Sequence, residues 1–302
     1  MKHSQSSNYL DLQAYKLHYR SLMPFKVTEN PVLMLHGAIE NGRIFYSQQG
    51  KGFGCFLADH GFPSYCVDFA GRGLSTPTLK EGLQHSQHQL ITQDIPALIE
   101  FLYDKYQKPV HLVCHSWGGV VSVASLLRFP ALRTKVKSML CFGTKRQITV
   151  KSWQRRWQID WFWNHLAPWL AAKYGYLPAK QFRLGADDEP RQFLLDTINW
   201  IKPSKFQDLL DGFDYHAQGQ LLADWPRSLF VAAVNDKILG HPQDVKLFMQ
   251  EAGLAQQEFR LLGKAYGNQV DYDHISMLTH PNARQDHFVE LVSWLTQSSV
   301  KS

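Results

Sequence analysis

Residues 110–119 read VHLVCHSWGG, and the stretch VVSVASLL follows directly at residues 120–127. The first run is typical of a buried strand and the second of a buried helix. Ser116 stands at the turn between them and Gly118 follows two residues later, a pattern typical of a nucleophile elbow. Small residues are needed here because strand and helix pass so closely that bulky side chains would clash. The turn would expose the Ser116 hydroxyl near a helix N-terminus, where backbone N–H groups favour negative charge.

Short apolar runs alternate with longer helical patterns on both sides of this turn, which indicates a parallel sheet built from βα units. Residues 8–22 predict an opening hairpin. Residues 90–106 carry apolar side chains at helical spacing, and a last helix is predicted at about residues 283–295. The apolar runs that predict the remaining strands are 31–35, 64–67, 110–113, 136–142, 229–234 and 258–262.

Two later motifs supply candidate partners for Ser116. Asp236 lies in the motif NDKILGHP, after a predicted strand, and His274 lies in the motif DHISML, after the last one. The chain order Ser, Asp, His is the order that accompanies a nucleophile elbow on this kind of sheet. We therefore expect His274 to act as general base and Asp236 to orient it. Asp271 and Asp273 stand beside the histidine and are alternative acids.

Two further loops follow predicted strands. Residues 35–38 read LHGA and residues 68–75 read DFAGRGLS. With the elbow and the Asp and His motifs, they make the chain resemble the α/β-hydrolase superfamily, in its branch with a helical cap. The resemblance covers about residues 9–296. One departure is Cys114, which stands where the family's elbow usually has its first glycine; cysteine is small enough to be compatible with the turn.

The resemblance implies the α/β-hydrolase fold, which is a mostly parallel central sheet flanked by helices, with a helical cap inserted after the sixth strand. It implies a core of residues 1–144 and 227–302 and a cap, or lid, of residues 145–226. It also implies acyl transfer through Ser116, with the backbone N–H groups of Ala38 and Trp117 forming the oxyanion hole.

The residues between about 145 and 226 interrupt the alternation and predict helices and loops without a strand. Trp153, Trp157, Trp161, Trp163 and Trp169 crowd into this stretch. They either pack the cap helices or line a hydrophobic substrate chamber. Basic residues beside them also allow contact with an anionic membrane surface. The residues expected to line the substrate site are Ile39, His115, Trp161 and Trp163.

The composition excludes several other classes. The net charge of +6 is spread along the chain without a nucleic-acid-binding motif, so we expect no nucleic-acid partner. No apolar run approaches the roughly 18–20 residues that cross a bilayer, which argues against stable membrane insertion. Residues 1–8 are polar and lack the apolar segment of a secretory signal, which predicts a cytoplasmic location. The four cysteines lack the spacing of a zinc site, and we expect no metal and no cofactor.

The serine at the elbow limits the reactions that the protein is expected to catalyse. Dehalogenases and epoxide hydrolases of this fold use aspartate at that position, and proline iminopeptidases carry a His-Gly-Gly-Pro loop where this chain has residues 36–39, HGAI. We expect a carboxylic-ester hydrolase acting on a fairly hydrophobic small-molecule ester. A thioesterase, an amidase and a carbon–carbon bond hydrolase are alternatives on the same fold. A non-catalytic small-molecule receptor is an alternative of a different class. The sequence leaves the oligomeric state open.

Overall fold

An eight-stranded sheet forms the centre of the molecule. The structure is a computed structural model that describes residues 2–297, without the side chains of Gln154 and Gln158. The strands are β1 (His3–Asp11), β2 (Lys16–Pro24), β3 (Val32–Leu35), β4 (Ser64–Val67), β5 (Val110–His115), β6 (Val136–Phe142), β7 (Tyr176–Leu177), β8 (Glu189–Pro190), β9 (Arg227–Ala233) and β10 (Glu258–Leu262). The order in the large sheet is β1-β2-β4-β3-β5-β6-β9-β10, with β7 and β8 forming a separate pair.

Only β2 runs opposite to the other strands of the large sheet. The β1–β2 and β2–β4 pairs are antiparallel, and every pair from β4 to β10 is parallel. This confirms the predicted mostly parallel sheet. The opening hairpin is longer than the predicted residues 8–22, because β1 begins at His3. Its first residues are polar and give no apolar run; they pair through side chains as well, as in the 2.7 Å hydroxyl contact of Ser6 with Ser21.

Helices cover both faces of the sheet. The α-helices are α1 (Phe53–Asp59), α2 (Gln87–Gln89), α3 (Ile95–Tyr106), α4 (Trp117–Arg128), α5 (Pro130–Arg133), α6 (Trp153–Arg155), α7 (Ala167–Tyr174), α8 (Arg191–Trp200), α9 (Tyr215–Gln220), α10 (Pro242–Glu251), α11 (Ser276–Thr279) and α12 (His287–Thr296). The 3₁₀ turns are Gly42–Ile44, Leu79–Glu81, Lys264–Tyr266 and Pro281–Gln285, and the π-helical stretches are Leu90–Asp94 and Arg156–Leu166. Among the described residues, no helix is long and apolar enough to span a membrane.

The central strands are buried on both faces, which explains their largely apolar sequences. Successive side chains of a strand point to opposite sides. Leu112 on β5 belongs to an apolar layer that it shares with α3 and α4, whereas its neighbour Val113 belongs to the layer of α1 and α12. The sheet is therefore a rigid platform whose strand ends present the loops that follow.

The turn from β5 into α4 has the strained geometry of an elbow. Ser116 has φ 51° and ψ −121°, a region that few residues other than glycine adopt. A Cβ on Gly118 would lie 2.4 Å from the carbonyl oxygens of Leu35 and His36, and one on Gly119 would lie 2.1 Å from the Thr144 hydroxyl. Glycine is thus required at both positions because α4 packs against neighbouring backbone and side chain.

Residues 143–226 form a long connection from β6 to β9. It contains α6, the π-helical stretch Arg156–Leu166, α7, the β7–β8 pair, α8 and α9. A small apolar cluster of its own holds α7 and α8 together through residues that include Leu170, Leu194 and Ile198. The stretch was expected to lack strands, and the two-residue strands β7 and β8 correct that expectation. They are too short to produce an apolar run in the sequence.

Candidate active site

Three candidate residues lie in loops at the carboxyl ends of the parallel strands. Ser116 follows β5, Asp236 follows β9, and His274 lies in the loop between β10 and α11. The His274 Nδ1–H donates to Asp236 Oδ2 over 2.5 Å. The other oxygen of Asp236 accepts the backbone N–H of Gly240 at 2.8 Å. The carboxylate therefore fixes the ring orientation and leaves Nε2 as the atom available for proton transfer.

The pKa of Asp236 is held below its ordinary value. Burial raises this pKa, because Asp236 is only 3% exposed, but the adjacent His274 and the hydrogen bonds of the carboxylate lower it by more. A carboxylate of this kind stays ionised at neutral pH and favours a positive charge on the imidazole. The pair is therefore suited to stabilising an imidazolium that forms during a reaction.

Ser116 and His274 face the same cavity. This cavity has a volume of about 550 Å³. No hydrogen bond joins the Ser116 hydroxyl to the imidazole among the described residues, and such contacts are often long when no substrate is bound. The apolar side chains that line the cavity include Ile148, Ile159, Trp163, Leu184, Ile201 and Leu239.

Two residues are expected to form an oxyanion hole beside the serine. Ala38 and Trp117 both line the cavity. Trp117 is the first residue of α4, so its N–H has no partner within the helix and lies at the positive end of the helix dipole. Gly37 brings the preceding loop against the elbow, since a Cβ on it would lie 2.9 Å from the Ser116 Cβ. This arrangement can hold a developing oxyanion beside Ser116.

The other two acidic candidates are turned away from the imidazole. Asp271 Oδ1 accepts the backbone N–H of Lys264 at 2.8 Å. Asp273 Oδ1 accepts the backbone N–H groups of Ile275 and Ser276. Both carboxylates stabilise turns of the loop that carries His274. Asp236 is the one of the three that contacts the ring.

Of the four residues that the sequence predicts to line the substrate site, two line the cavity and two do not. Ile39 and Trp163 line the cavity. Trp161 is 51% exposed, lies outside the cavity lining and stacks edge-on against Trp157. His115 is fully buried and lies behind the loop of His274, with its ring centroid 4.7 Å from that of His274.

His115 forms a buried ion pair with Glu40, a residue that was not singled out in the sequence. Its Nδ1 lies 2.8 Å from Glu40 Oε2, and its Nε2 lies 2.9 Å from the carbonyl oxygen of His274. Burial raises the pKa of Glu40, but the charge and hydrogen bond of His115, together with His274 and the Gly37 N–H, lower it by more and hold the pKa at about 2. Both ring nitrogens of His115 therefore face acceptors, which requires an imidazolium. The pair ties the loop of Ala38 to the loop of His274.

Replacing Glu40 with glutamine should destabilise the protein by about 2 kcal/mol at mildly acidic pH. Burial lowers the pKa of His115, but Glu40, the His274 carbonyl and Asp236 together raise it by more. The His115 charge therefore stabilises the fold below the ordinary pKa of 6.5, and this stability is lost as pH rises through the raised pKa. The pKa of Glu40 is lowered, so its charge stabilises the fold fully above pH 4.5. This stability is lost as pH falls toward 2 and Glu40 is protonated.

The difference in the free energy of unfolding between wild type and Glu40→Gln should therefore be largest between pH 4.5 and 6.5 and should decrease at alkaline pH. Urea unfolding across pH measures it. His115→Gln should remove the same pH dependence. A gap that stays constant from acid to alkali would show that the two charges do not interact as described.

A second buried pair, Arg72 with Glu189, fastens the same loop to the connection from β6 to β9. Glu189 accepts hydrogen bonds from the Arg72 guanidinium and from the backbone N–H of Ile39. Asp187 adds to this contact by accepting the Asn41 side-chain amide at 2.8 Å and the Gly73 N–H. The loop that carries Ala38 is thus held by residues far away in the chain, which no local pattern could reveal.

A cluster of possible metal ligands lies elsewhere. His88, Asp208 and Asp211 have ligand atoms within 4.8 Å of one another. The guanidinium of Arg128 binds both carboxylates, and the Tyr215 hydroxyl donates to Asp208 at 2.8 Å. Both carboxylates already bind this guanidinium, so the cluster is a network of ion pairs and hydrogen bonds that joins α4 to the connection from β6 to β9.

Comparison with known proteins agrees with this architecture. The family model described as the alpha/beta hydrolase family matches residues 32–284. Over 129 residues the chain is 30% identical to triacylglycerol lipase 1 of Arabidopsis thaliana, which corresponds to 40% of this chain and 33% of that protein. The chain thus matches about a third of the length of this curated relative.

Solved structures share the fold at low sequence identity. A soluble variant of monoglyceride lipase from Saccharomyces cerevisiae has a TM-score of 0.66 at 15% identity, covering 97% of this chain and 95% of that one. A thioesterase domain from the curacin biosynthetic pathway has a TM-score of 0.57 at 16% identity, covering 97% of this chain and 100% of that one. At such identities the likeness concerns the fold.

Proposed function

Because this chain belongs to the alpha/beta hydrolase family, we propose that it is a serine hydrolase that cleaves carboxylic esters through Ser116, His274 and Asp236. The observation that carries the proposal is the 2.5 Å contact between His274 Nδ1 and Asp236, with His274 lining the same cavity as Ser116. The curated relative is called a lipase and a structural neighbour is a monoglyceride lipase, which supports an ester as substrate.

The reaction begins with the Ser116 hydroxyl. His274 Nε2 takes the hydroxyl proton as Oγ attacks the ester carbonyl, and Asp236 stabilises the resulting imidazolium. The N–H groups of Ala38 and Trp117 hold the tetrahedral oxyanion, each contributing about 3–4 kcal/mol where such donors have been removed in other enzymes. The intermediate collapses, His274 protonates the leaving alcohol, and Ser116 is left acylated. Water activated by His274 then releases the acid and restores the serine.

The substrate we propose is a fairly hydrophobic ester. The cavity is lined by aliphatic side chains, and burying the apolar surface of a ligand against them is favourable by about 25 cal/mol per Å². We propose residues 145–226 as the cap that closes this chamber, since Ile159 and Trp163 reach the cavity from that stretch. The same machinery would cleave thioesters, so a thioester belongs in any substrate panel.

A panel of p-nitrophenyl esters of increasing acyl length tests the proposal. We expect saturable hydrolysis of several esters, with kcat/KM rising with chain length until the cavity is filled. The matched acyl-coenzyme A thioesters, assayed in parallel, measure the preference for ester over thioester. A folded protein that hydrolyses none of these compounds, and that binds acyl compounds without turnover, would favour a receptor instead.

Trp163→Ala should shift this chain-length preference toward longer acyl groups, by roughly five- to tenfold in the ratio of kcat/KM for long and short esters. The reason is that the Trp163 ring lines the cavity, so its removal opens space there. Trp161→Ala is the matched control, because the ring of Trp161 is exposed two residues away and contacts Trp157 instead. Equal shifts in the two variants would contradict a specific role of Trp163.

A further inference from the structure

Lys145 is a buried cation inside the candidate active-site cavity. It follows β6 by three residues and is only 6% exposed. It lines the same cavity as Ser116 and His274. Its ammonium lies 5.6 Å from the centre of the Trp117 ring. The charge is therefore held next to the residue whose backbone N–H flanks the nucleophile.

This ammonium has no hydrogen bond and no ion pair within the part of the chain that the structure describes. Its neighbour Arg146 shows the contrast. Arg146 is also buried, but its guanidinium is bound by the Glu251 carboxylate, the Trp200 carbonyl oxygen and Ser204. The fold thus supplies a full set of hydrogen-bond acceptors to Arg146 but only an aromatic ring to Lys145.

Leaving a cation buried without an acceptor is unfavourable. Burial lowers the pKa of Lys145 to about 8, although the more distant carboxylates of Asp236 and Asp244 raise it in part. The group still carries its charge at neutral pH. A buried, charged donor that faces an open cavity without an acceptor is typical of a ligand-binding group. The acceptor is then supplied by the bound ligand.

The rest of the lining does not satisfy this charge. Glu40 is the carboxylate among the lining residues, and it is already paired with His115. The other residues that line the cavity include the aliphatic Ile148, Ile201 and Leu239. The cavity therefore combines an apolar wall with one buried, uncompensated ammonium, because Arg43, the other cation of the lining, is exposed to solvent. This combination matches a ligand that has an apolar body and one negative charge.

We propose that Lys145 is a specificity-determining residue and that the substrate is an ester carrying a carboxylate, which the Lys145 ammonium binds while Ser116 attacks the ester carbonyl. This inference rests on the proposed function and narrows its substrate class. One ammonium neutralises a single charge, which favours a carboxylate over a doubly charged phosphate monoester.

Paired esters that differ by one charge test the inference. Mono-4-nitrophenyl adipate is compared with 4-nitrophenyl hexanoate for a carboxylate on the acyl side, and 4-carboxyphenyl hexanoate with phenyl hexanoate for one on the alcohol side. In one of the two pairs we expect wild type to prefer the anionic ester at least tenfold in kcat/KM. The preference should disappear in Lys145→Met and persist in Lys145→Arg. Lys151→Met, which changes an exposed lysine, is the control that keeps it.

Binding to Ser116→Ala separates this inference from catalysis. Calorimetry compares monomethyl adipate, which is anionic, with dimethyl adipate, which is neutral. We expect at least tenfold tighter binding of the anionic ester, lost in the Ser116→Ala, Lys145→Met double variant. If no ester is hydrolysed but this preference exists, the proposed function fails and the Lys145 site stands. If hydrolysis occurs without an anionic preference in turnover or binding, the Lys145 inference is overturned.

Discussion

Replacing Ser116 with alanine is expected to lower ester hydrolysis by roughly 10⁵- to 10⁶-fold, the loss that follows removal of the nucleophile from a complete triad. No hydroxyl follows Ser116 in the first turn of α4, which begins Trp-Gly-Gly, and the threonines of the cavity lining, Thr197 and Thr279, lie outside the elbow. The change removes one oxygen and little packing. The melting temperature should therefore stay within a few degrees of wild type.

Steady-state kinetics on the preferred ester, together with a thermal melt of each protein, measure this prediction. The melt is the necessary control, since Ser116 already has a positive φ and alanine must adopt the same backbone. A folded Ser116→Ala protein that keeps more than about a tenth of wild-type turnover would rule out Ser116 as the nucleophile.

Asp236→Asn should lower kcat by roughly 10³- to 10⁴-fold while the protein stays folded. Asparagine keeps the shape of aspartate, but it can turn an amide N–H toward His274 Nδ1. The imidazole then carries its proton on Nε2, the atom that must accept the proton of Ser116. The loss of charge also removes the stabilisation of the imidazolium, since the Asp236 carboxylate is hydrogen-bonded to the ring at 2.5 Å.

Asp271→Asn and Asp273→Asn are matched controls for this variant. Each lies within three residues of His274, and each carboxylate accepts backbone N–H groups of the surrounding loop. They should reduce kcat by less than about tenfold, with a modest loss of stability from the weakened turns. If one of them is as damaging as Asp236→Asn, or if Asp236→Asn is nearly silent, the acid has been assigned to the wrong residue.

The sequence predicts the sheet and the elbow well because both depend on local patterns. A strand buried on two faces must be largely apolar, as β3 to β5 are, and the close approach of α4 demands glycine at 118 and 119. The edge strand β1 carries no such requirement on its exposed side, which is why its polar beginning was not predicted.

The supporting residues of the site were less predictable because their partners are far away in the chain. Glu189 reaches Arg72 across 117 positions and Ile39 across 150. Lys145 looks in the sequence like any surface lysine, and only its burial beside Trp117 distinguishes it. These contacts come from the folding of one loop onto another, which composition and spacing do not encode.

The tryptophans show a third limit. Trp161 and Trp163 are two residues apart in the π-helical stretch Arg156–Leu166, whose wider turn changes which side chains share a face. An α-helical spacing rule therefore does not assign them to the cavity or to solvent. The structure places Trp163 at the cavity, and places Trp161 in an exposed row with Trp153 and Trp157.

The central claim is that Ser116 is an activated nucleophile, and its covalent capture is the most direct measurement. Wild-type protein is treated with a small excess of an alkyl fluorophosphonate, and the adduct is located by intact mass and peptide mapping. We predict one phosphonyl group per chain, on Ser116, appearing at the same rate as ester hydrolysis is lost, and none on Ser116→Ala. An adduct on another residue, or a wild-type protein that hydrolyses esters yet resists the reagent, would contradict the account.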